Sequence, residues 1–300
     1  MQAHCPPPFQ GGAGGGMRLL GFHFGSLSRH SWLPRQHTES GYSLIELVIV
    51  MAILGVIGVG LLTIYTASIR QYIEATQRAE LTGSARLAIE RLSRELRNAL
   101  PNSVRVSSDG NCVEFRPVQA GSTYVDLPTT IASSTVTAAV FPVPAGSWSL
   151  SVMPLLTGDG SSSDIYGPVP LATADIASIS APDVNNIVTI TLTAAKLFPR
   201  TSPGRRIFVT GAPISFCITS GNQVRRYSSY GNSLIQPTTS TLSGGVLLAE
   251  NTIAGDAAAP VFRYTTGTLE RNAVLSAQLE LRAATESLRY AHEVLIRNVP

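Results

Sequence analysis

A run of 23 residues without a single charge, positions 47–69, constrains this 300-residue chain more than any other stretch. At about 1.5 Å of helical rise per residue it covers about 34 Å, slightly more than the roughly 30 Å hydrocarbon core of a bilayer. The segment is long enough to span a membrane once. Directly before it stands Gly41-Tyr42-Ser43-Leu44-Ile45-Glu46, and Glu46 places a carboxylate at the mouth of the span with no basic side chain within a helical turn. An isolated acid inside a membrane costs about 2–3 kcal/mol. Cleavage between Gly41 and Tyr42 would create an α-amino group one helical turn before Glu46, on the same face. That amine, from the same chain or a neighbour, would neutralise the acid.

A basic leader ending in Gly41, an aromatic residue after it, Glu46 at the fifth position beyond the cut and then an apolar helix together resemble the signal of type IV prepilins and pseudopilins. The resemblance implies a prepilin peptidase that cuts after Gly41 and methylates the amine of Tyr42, with Glu46 guiding docking into a helical filament. It implies other major and minor pilins and an inner-membrane assembly platform as partners, and no cofactor. The family's usual first mature residue is Phe, so Tyr42 departs from the pattern while keeping the aromatic ring. Two other readings compete. A general signal peptidase needs an A-x-A-like site after a shorter apolar core, for which Thr66-Ala67-Ser68 is a poor substitute. An uncleaved signal anchor has to let Glu46 snorkel toward the headgroups.

Residues 1–41 read as a leader with Arg18, Arg29 and Arg35 against one acid, Glu39, and Met17 as an internal start. Its glycine patch, positions 11–16, is not a phosphate loop, because no strand precedes it and no Lys-Ser/Thr follows. Positive charge before the span retains the leader in the cytoplasm and sends the remainder across. The expected location is the inner membrane, single-pass with a periplasmic C-terminal head, and later a pilus at the cell surface. Beyond the leader remain 259 residues with 19 basic and 18 acidic side chains, which gives no general attraction to nucleic acid.

After the span, Arg70, Glu74 and Arg78, then Arg86, Glu90 and Arg94, with Arg91 and Glu95, make opposite-sign pairs at i,i+4. Leu81, Ala85, Ala88, Leu92, Leu96 and Ala99 mark one apolar face at helical spacing, ahead of Pro101. Residues 42–100 thus read as one stem, transmembrane over about 44–69 and on the order of 85 Å long if unbroken. Gly55, Gly58 and Gly60 weaken a helix by about 1 kcal/mol each relative to Ala. Close packing between neighbouring helices and local melting during assembly are both compatible with them.

Residues 101–300 read as a β-rich head. Residues 104–106 and 112–116 flank the turn signal Asp109-Gly110-Asn111 and should pair as a hairpin. Residues 117–182 hold four acids and no base among Ser, Thr, Ala, Pro and Gly, and are expected to form a loop-rich insertion with short strands near 135–141 and 148–153. Further strands are expected at 187–192, 206–209, 214–219 and 223–227, the last two joined across Ser220-Gly221-Asn222. Residues 274–283 alternate strictly, and Leu288, Tyr290, His292, Val294 and Ile296 line one face of the final segment, as in two half-buried antiparallel strands. The expected class is α+β, a pilin fold by resemblance: a long N-terminal helix, transmembrane then amphipathic, packed on an antiparallel β-rich head.

Cys5 lies in the leader, and Cys112 and Cys217 each fall in an expected strand of an exported domain. A disulfide between them is favoured over two buried thiols. Four of the five histidines lie in the leader, leaving His292, so neither a zinc site nor a Ser-His-Asp triad is indicated and no enzyme is expected. Asp159-Gly160-Ser161-Ser162-Ser163-Asp164 lacks the third acid and terminal Glu of a calcium loop and reads as an exposed turn, so no metal is expected. Arg205-Arg206 and Arg225-Arg226 would make a basic patch if their strands were neighbours, but solvated or subunit-facing charge is the plainer reading.

Within the family, residues 86–105 and 292–300, with Cys112-Val-Glu-Phe and Phe216-Cys217, resemble minor pilins of mannose-sensitive haemagglutinin (MSHA) pili. Minor pseudopilins of type II secretion systems share such a stem and head. A tip adhesin whose insertion binds a surface glycan and a membrane-anchored exported enzyme, the latter weakened by the histidine count, are alternatives from other classes.

Overall fold

The computed structural model describes residues 41–142, 145–155, 165–167, 170–267, 271–284 and 286–296. The leader up to residue 40 and the Asp159 to Asp164 stretch lie outside the described residues. The chain divides into two units, residues 1–60 and 61–300. Among the described residues the one helix, α1 (Leu44–Arg97), runs through the boundary.

In the first unit the described residues are Gly41, Tyr42, Ser43 and the start of α1, and the large apolar side chains there are solvent-facing. In the second unit α1 changes character. Leu81, Ala85, Ala88, Ile89, Leu92, Ser93 and Leu96 are buried, a single stripe at helical spacing. Arg94 and Arg97 occupy the last turn, where positive charge complements the helix dipole.

The hairpin after the stem is β1 (Arg105–Val106) and β2 (Cys112–Phe115), paired antiparallel. Its turn demands glycine: Gly110 has φ +68°, and a Cβ there would collide with the Pro260 ring and lie 2.9 Å from its Cα. Six strands follow: β3 (Val118–Asp126), β4 (Ser133–Ala139), β5 (Ser149–Ser151), β6 (Thr173–Ile179), β7 (Ile187–Lys196) and β8 (Arg206–Thr210). They close into a barrel in the order β3-β4-β7-β6-β5-β8. The expectation of a loop-rich insertion over 117–182 is thereby corrected. Four strands lie within that stretch, and the barrel extends through β7 and β8.

The reason the barrel is hard to read is chemical. β3 alternates between half-buried and exposed positions, but with Ala, Gly, Ser and Thr on both faces, so the sequence carries little period-2 contrast. What holds β3 is the closure, with Ala120 opposite Val209 and Ser122 opposite Ile207. The interior is filled by Val136, Ala138, Leu150, Val188, Ile190, Leu192, Ile207 and Val209. Closure also removes free strand edges, which an open sheet of these strands would expose.

The chain then forms β9 (Ile214–Ile218), β10 (Val224–Ser228), β11 (Val246–Ala249), β12 (Thr252–Ile253), β13 (Phe262–Thr265), β14 (Ala273–Ala283) and β15 (Glu286–Ile296). One sheet has the order β1-β2-β9-β10-β11, and a second holds β12, β13 and β15 against β14. In the β9–β10 turn the left-handed residue is Asn222, φ 58°, rather than Gly221. Leu275 faces Val294, Leu279 faces Tyr290 and Leu281 faces Leu288 across the β14–β15 pair, as their alternation requires. Both sheets and the buried stripe of α1 share one core, in which Leu92 and Leu96 join Phe115, Phe216, Phe262, Leu275 and Leu279. Burying each such side chain contributes roughly 1.5–3 kcal/mol.

Candidate membrane and assembly segment

The N-terminal motif is built around a helix start. The Ser43 carbonyl accepts the backbone N–H groups of Glu46 and Leu47 at 3.0 and 3.2 Å, which makes Ser43 the N-cap and Leu44 the first helical residue. Tyr42 therefore stands just outside the helix, 85% exposed, and not within its first turn as a continuous helical register from residue 42 would have it. Tyr42, Glu46, Leu47, Val50 and Met51 line one shallow groove. Glu46 sits in the first turn, where the helix dipole favours a negative charge, and no cationic side chain pairs with it among the described residues.

Beyond Glu46 every large apolar side chain of α1 from Leu47 through Ile69 is exposed, and Leu62, Ile64 and Tyr65 are more than 60% so. A stripe of that kind on a water-facing helix would be untenable, since α1 is apolar on all sides here and not on one face. The helix is long and apolar enough to cross a membrane, and the relevant window is wholly unburied. A Cβ on Gly55, Gly58 or Gly60 would meet nothing within 4 Å, so within this chain none of the three is required for packing.

Further along, Cys112 and Cys217 are directly opposed on β2 and β9 and joined in a disulfide with Cα atoms 4.2 Å apart. The bond fastens the first hairpin to a strand 105 residues later.

Next to it lies a buried polar network that sequence reasoning missed. Arg105 and Glu114 are register partners on β1 and β2 and form an ion pair at 1% and 0% side-chain exposure. Arg105 also donates from Nη1 and Nη2 to the carbonyls of Leu234 and Ser233 at 2.7 and 2.8 Å, and its guanidinium lies 3.8 Å from the centre of the Tyr166 ring. Tyr230 donates to the second oxygen of Glu114 at 2.9 Å and meets the Ser215 hydroxyl at 2.7 Å. Burial pushes the Glu114 carboxyl above its ordinary range, opposed chiefly by Arg105. Arg116, also buried, donates to Gly211 O at 3.0 Å and to Ser149 Oγ at 2.8 Å, which in turn donates to Asp175 at 2.7 Å. Desolvation lowers the Arg116 pKa, countered by Tyr166, Asp175 and Glu114. The network ties the hairpin to the barrel strands β5 and β6. The hairpin register that opposes Arg105 and Glu114 follows from the turn residues, but their burial depends on Tyr166, Ser233 and Leu234 packing above it.

The two arginine pairs do not form one patch through neighbouring strands, because β8 belongs to the barrel and β10 to the five-stranded sheet. Arg226 binds both oxygens of Glu95 on α1 at 2.9 Å, and Arg225 donates to Gln223 and to Gly245 O at 2.8 Å each. Glu95 additionally pairs with Arg91. These charges fasten the helix to the sheet. His292 is half-buried on β15, facing α1 beside Tyr290. Among the described residues no three His, Cys, Asp or Glu side chains gather as metal ligands do.

Residues 36–62 match the family model described as the prokaryotic N-terminal methylation motif. No curated protein and no solved structure matches the chain significantly. The motif implies processing by a prepilin peptidase and assembly with pilins in a membrane machinery, and the exposed apolar helix that follows it is consistent with membrane anchoring. The chain thus carries the N-terminal signature of type IV pilin-like and pseudopilin-like proteins, which are structural subunits.

Proposed function

We propose that this chain is a minor pilin of an MSHA-like type IV pilus, comparable to the subunit MshO, and that it primes or caps filament assembly through its N-terminal helix. The observation that carries the reading is the methylation motif on a helix whose apolar surface from Leu47 to Ile69 is bare on every side. The leader is removed between Gly41 and Tyr42, the Tyr42 amine is methylated, and residues 44–69 hold the subunit in the inner membrane with the head periplasmic. On extraction by the assembly platform, Glu46 pairs with the Tyr42 amine of a neighbour, and head-to-head contacts select the partners. Removal of that charge by Glu46→Ala leaves insertion and cleavage intact and impairs incorporation.

A minor pseudopilin of a type II secretion system shares the same motif, and a deletion strain separates the two. Loss of sheared surface pili with intact secretion supports the pilus assignment, whereas loss of secretion with intact pili overturns it in favour of the pseudopilin. A tip adhesin would leave both intact and be found by glycan binding to the exported chain.

A further inference from the structure

Between the buried stripe of α1 and strand β15 lies a crevice of about 330 Å³, lined by Arg86, Ile89, Glu90, Ser93, Arg94, Arg97, Tyr290 and His292. We propose that it binds the carboxylate of an acidic peptide segment on a partner protein.

The first argument is charge. Three guanidinium groups and the His292 ring face one carboxylate, Glu90. Arg86, Arg94 and Arg97 hold no ion pair among the described residues, although Glu90 stands one turn from both Arg86 and Arg94. Guanidinium forks match carboxylate oxygens in pairs, so this surface suits an oxyanion.

The second argument is a hydroxyl. Thr66, Ser68, Thr76, Thr82 and Ser84 of the same helix each donate to a carbonyl three or four residues back, at 2.7–3.1 Å. Ser93 does not. Its Oγ is buried, the residue is 5% exposed, and the oxygen has no hydrogen-bond partner. A helix serine facing a buried surface has its own backbone acceptor within reach. Ser93 lines the crevice instead, with a donor left over for an incoming oxygen.

The third argument selects a peptide over a free ion or a lipid phosphate. β15 is an 11-residue strand paired on one side to β14, and no strand pairs with its other edge among the described residues. That edge adjoins the crevice and offers a row of backbone groups to an extended segment. Lipid headgroups are out of reach, because Arg86 lies 17 residues beyond Ile69 on the helix, or about 26 Å along its axis. The site is separate from the cleavage motif, and its occupation is read without filament assembly.

The test uses the full chain in detergent micelles and a fluorescein-labelled peptide of alternating Val and Asp, followed by anisotropy. The Asp peptide should bind about tenfold or more tightly than its Asn counterpart, and less tightly in about 300 mM than in about 50 mM salt, because salt screens the charges. Arg94→Gln should weaken it about tenfold, and Ser93→Ala about threefold with an unchanged circular dichroism spectrum. Arg263→Gln, an exposed charge on β13, should change nothing. Equal binding of the two peptides, or equal loss on Arg94→Gln and Arg263→Gln, would overturn the proposal. So would displacement by inorganic phosphate or glycerol 3-phosphate at concentrations close to the peptide's own Kd, the former marking a generic anion site and the latter a lipid headgroup site.

Discussion

Replacing Arg105 by Met removes the cation from a fully buried charge pair of the head. The Glu114 carboxylate then loses its ion-pair partner at 0% side-chain exposure, while the carbonyls of Leu234 and Ser233 lose their donors and Tyr166 its stacked guanidinium. Breaking one side of a buried pair costs about 3–5 kcal/mol. The cost depends on pH in a definite direction. Burial already raises the folded-state pKa of Glu114, and Arg105 is the largest influence opposing that rise, so the variant's carboxyl moves further up. A carboxyl whose folded pKa exceeds its unfolded value favours the fold below the unfolded pKa and loses that contribution as pH rises through the folded one. The deficit of Arg105→Met should therefore be larger at pH near 7.5 than at pH near 5. The assay is urea unfolding followed by near-ultraviolet circular dichroism, which reports Tyr166 and Tyr230 beside the pair. The double variant Arg105→Met/Glu114→Leu should recover at least about 2 kcal/mol of the loss. A deficit that is the same at both pH values, or no recovery in the double variant, would refute the reasoning.

Replacing both Cys112 and Cys217 by Ala should lower the unfolding free energy by about 4.7 kcal/mol in the chain-entropy model, given the 105-residue separation, and should abolish any effect of reductant on the urea midpoint. Gly110→Ala places a methyl group against Pro260 in a left-handed backbone. It should cost at least about 2 kcal/mol, read as a lowered melting temperature. Burial pushes the Tyr264 phenol up to about 12. Its stabilising contribution is complete below the ordinary tyrosine range and is lost as pH rises toward that value, so ultraviolet titration should show a late-ionising phenol that Tyr264→Phe removes.

The legible parts of this fold are those where one face is apolar and the other is not. The stripe from Leu81 to Leu96 and the alternation of β14 announce their elements and even their buried faces. The β1–β2 and β9–β10 hairpins follow from turn residues between short apolar runs. The barrel was hidden because Ala, Ser and Thr serve equally on both sides of β3 and β6, and because closure depends on pairing between β3 and β8, far apart in sequence. β11, β12 and β13 are two to four residues long and owe their structure to neighbouring strands. At the N-terminus the motif residues follow from the order Gly41-Tyr42 then Glu46 ahead of an uncharged run and from its resemblance to prepilin signals, whereas the helix start at Leu44, which leaves Tyr42 outside the first turn, depends on backbone hydrogen bonds to Ser43. The Arg105–Glu114 pair reads in sequence as two ordinary surface charges. Only the packing of Tyr166, Ser233 and Leu234 above the hairpin makes it a core.

The most direct test of the account is the intact mass and N-terminal residue of the protein recovered from cell membranes. Processing at the motif predicts a chain beginning with N-methylated Tyr42, and the unprocessed form in a strain lacking the prepilin peptidase. A membrane protein that retains residues before Tyr42 in the presence of that peptidase, or one that begins after Ser68, would contradict the central claim.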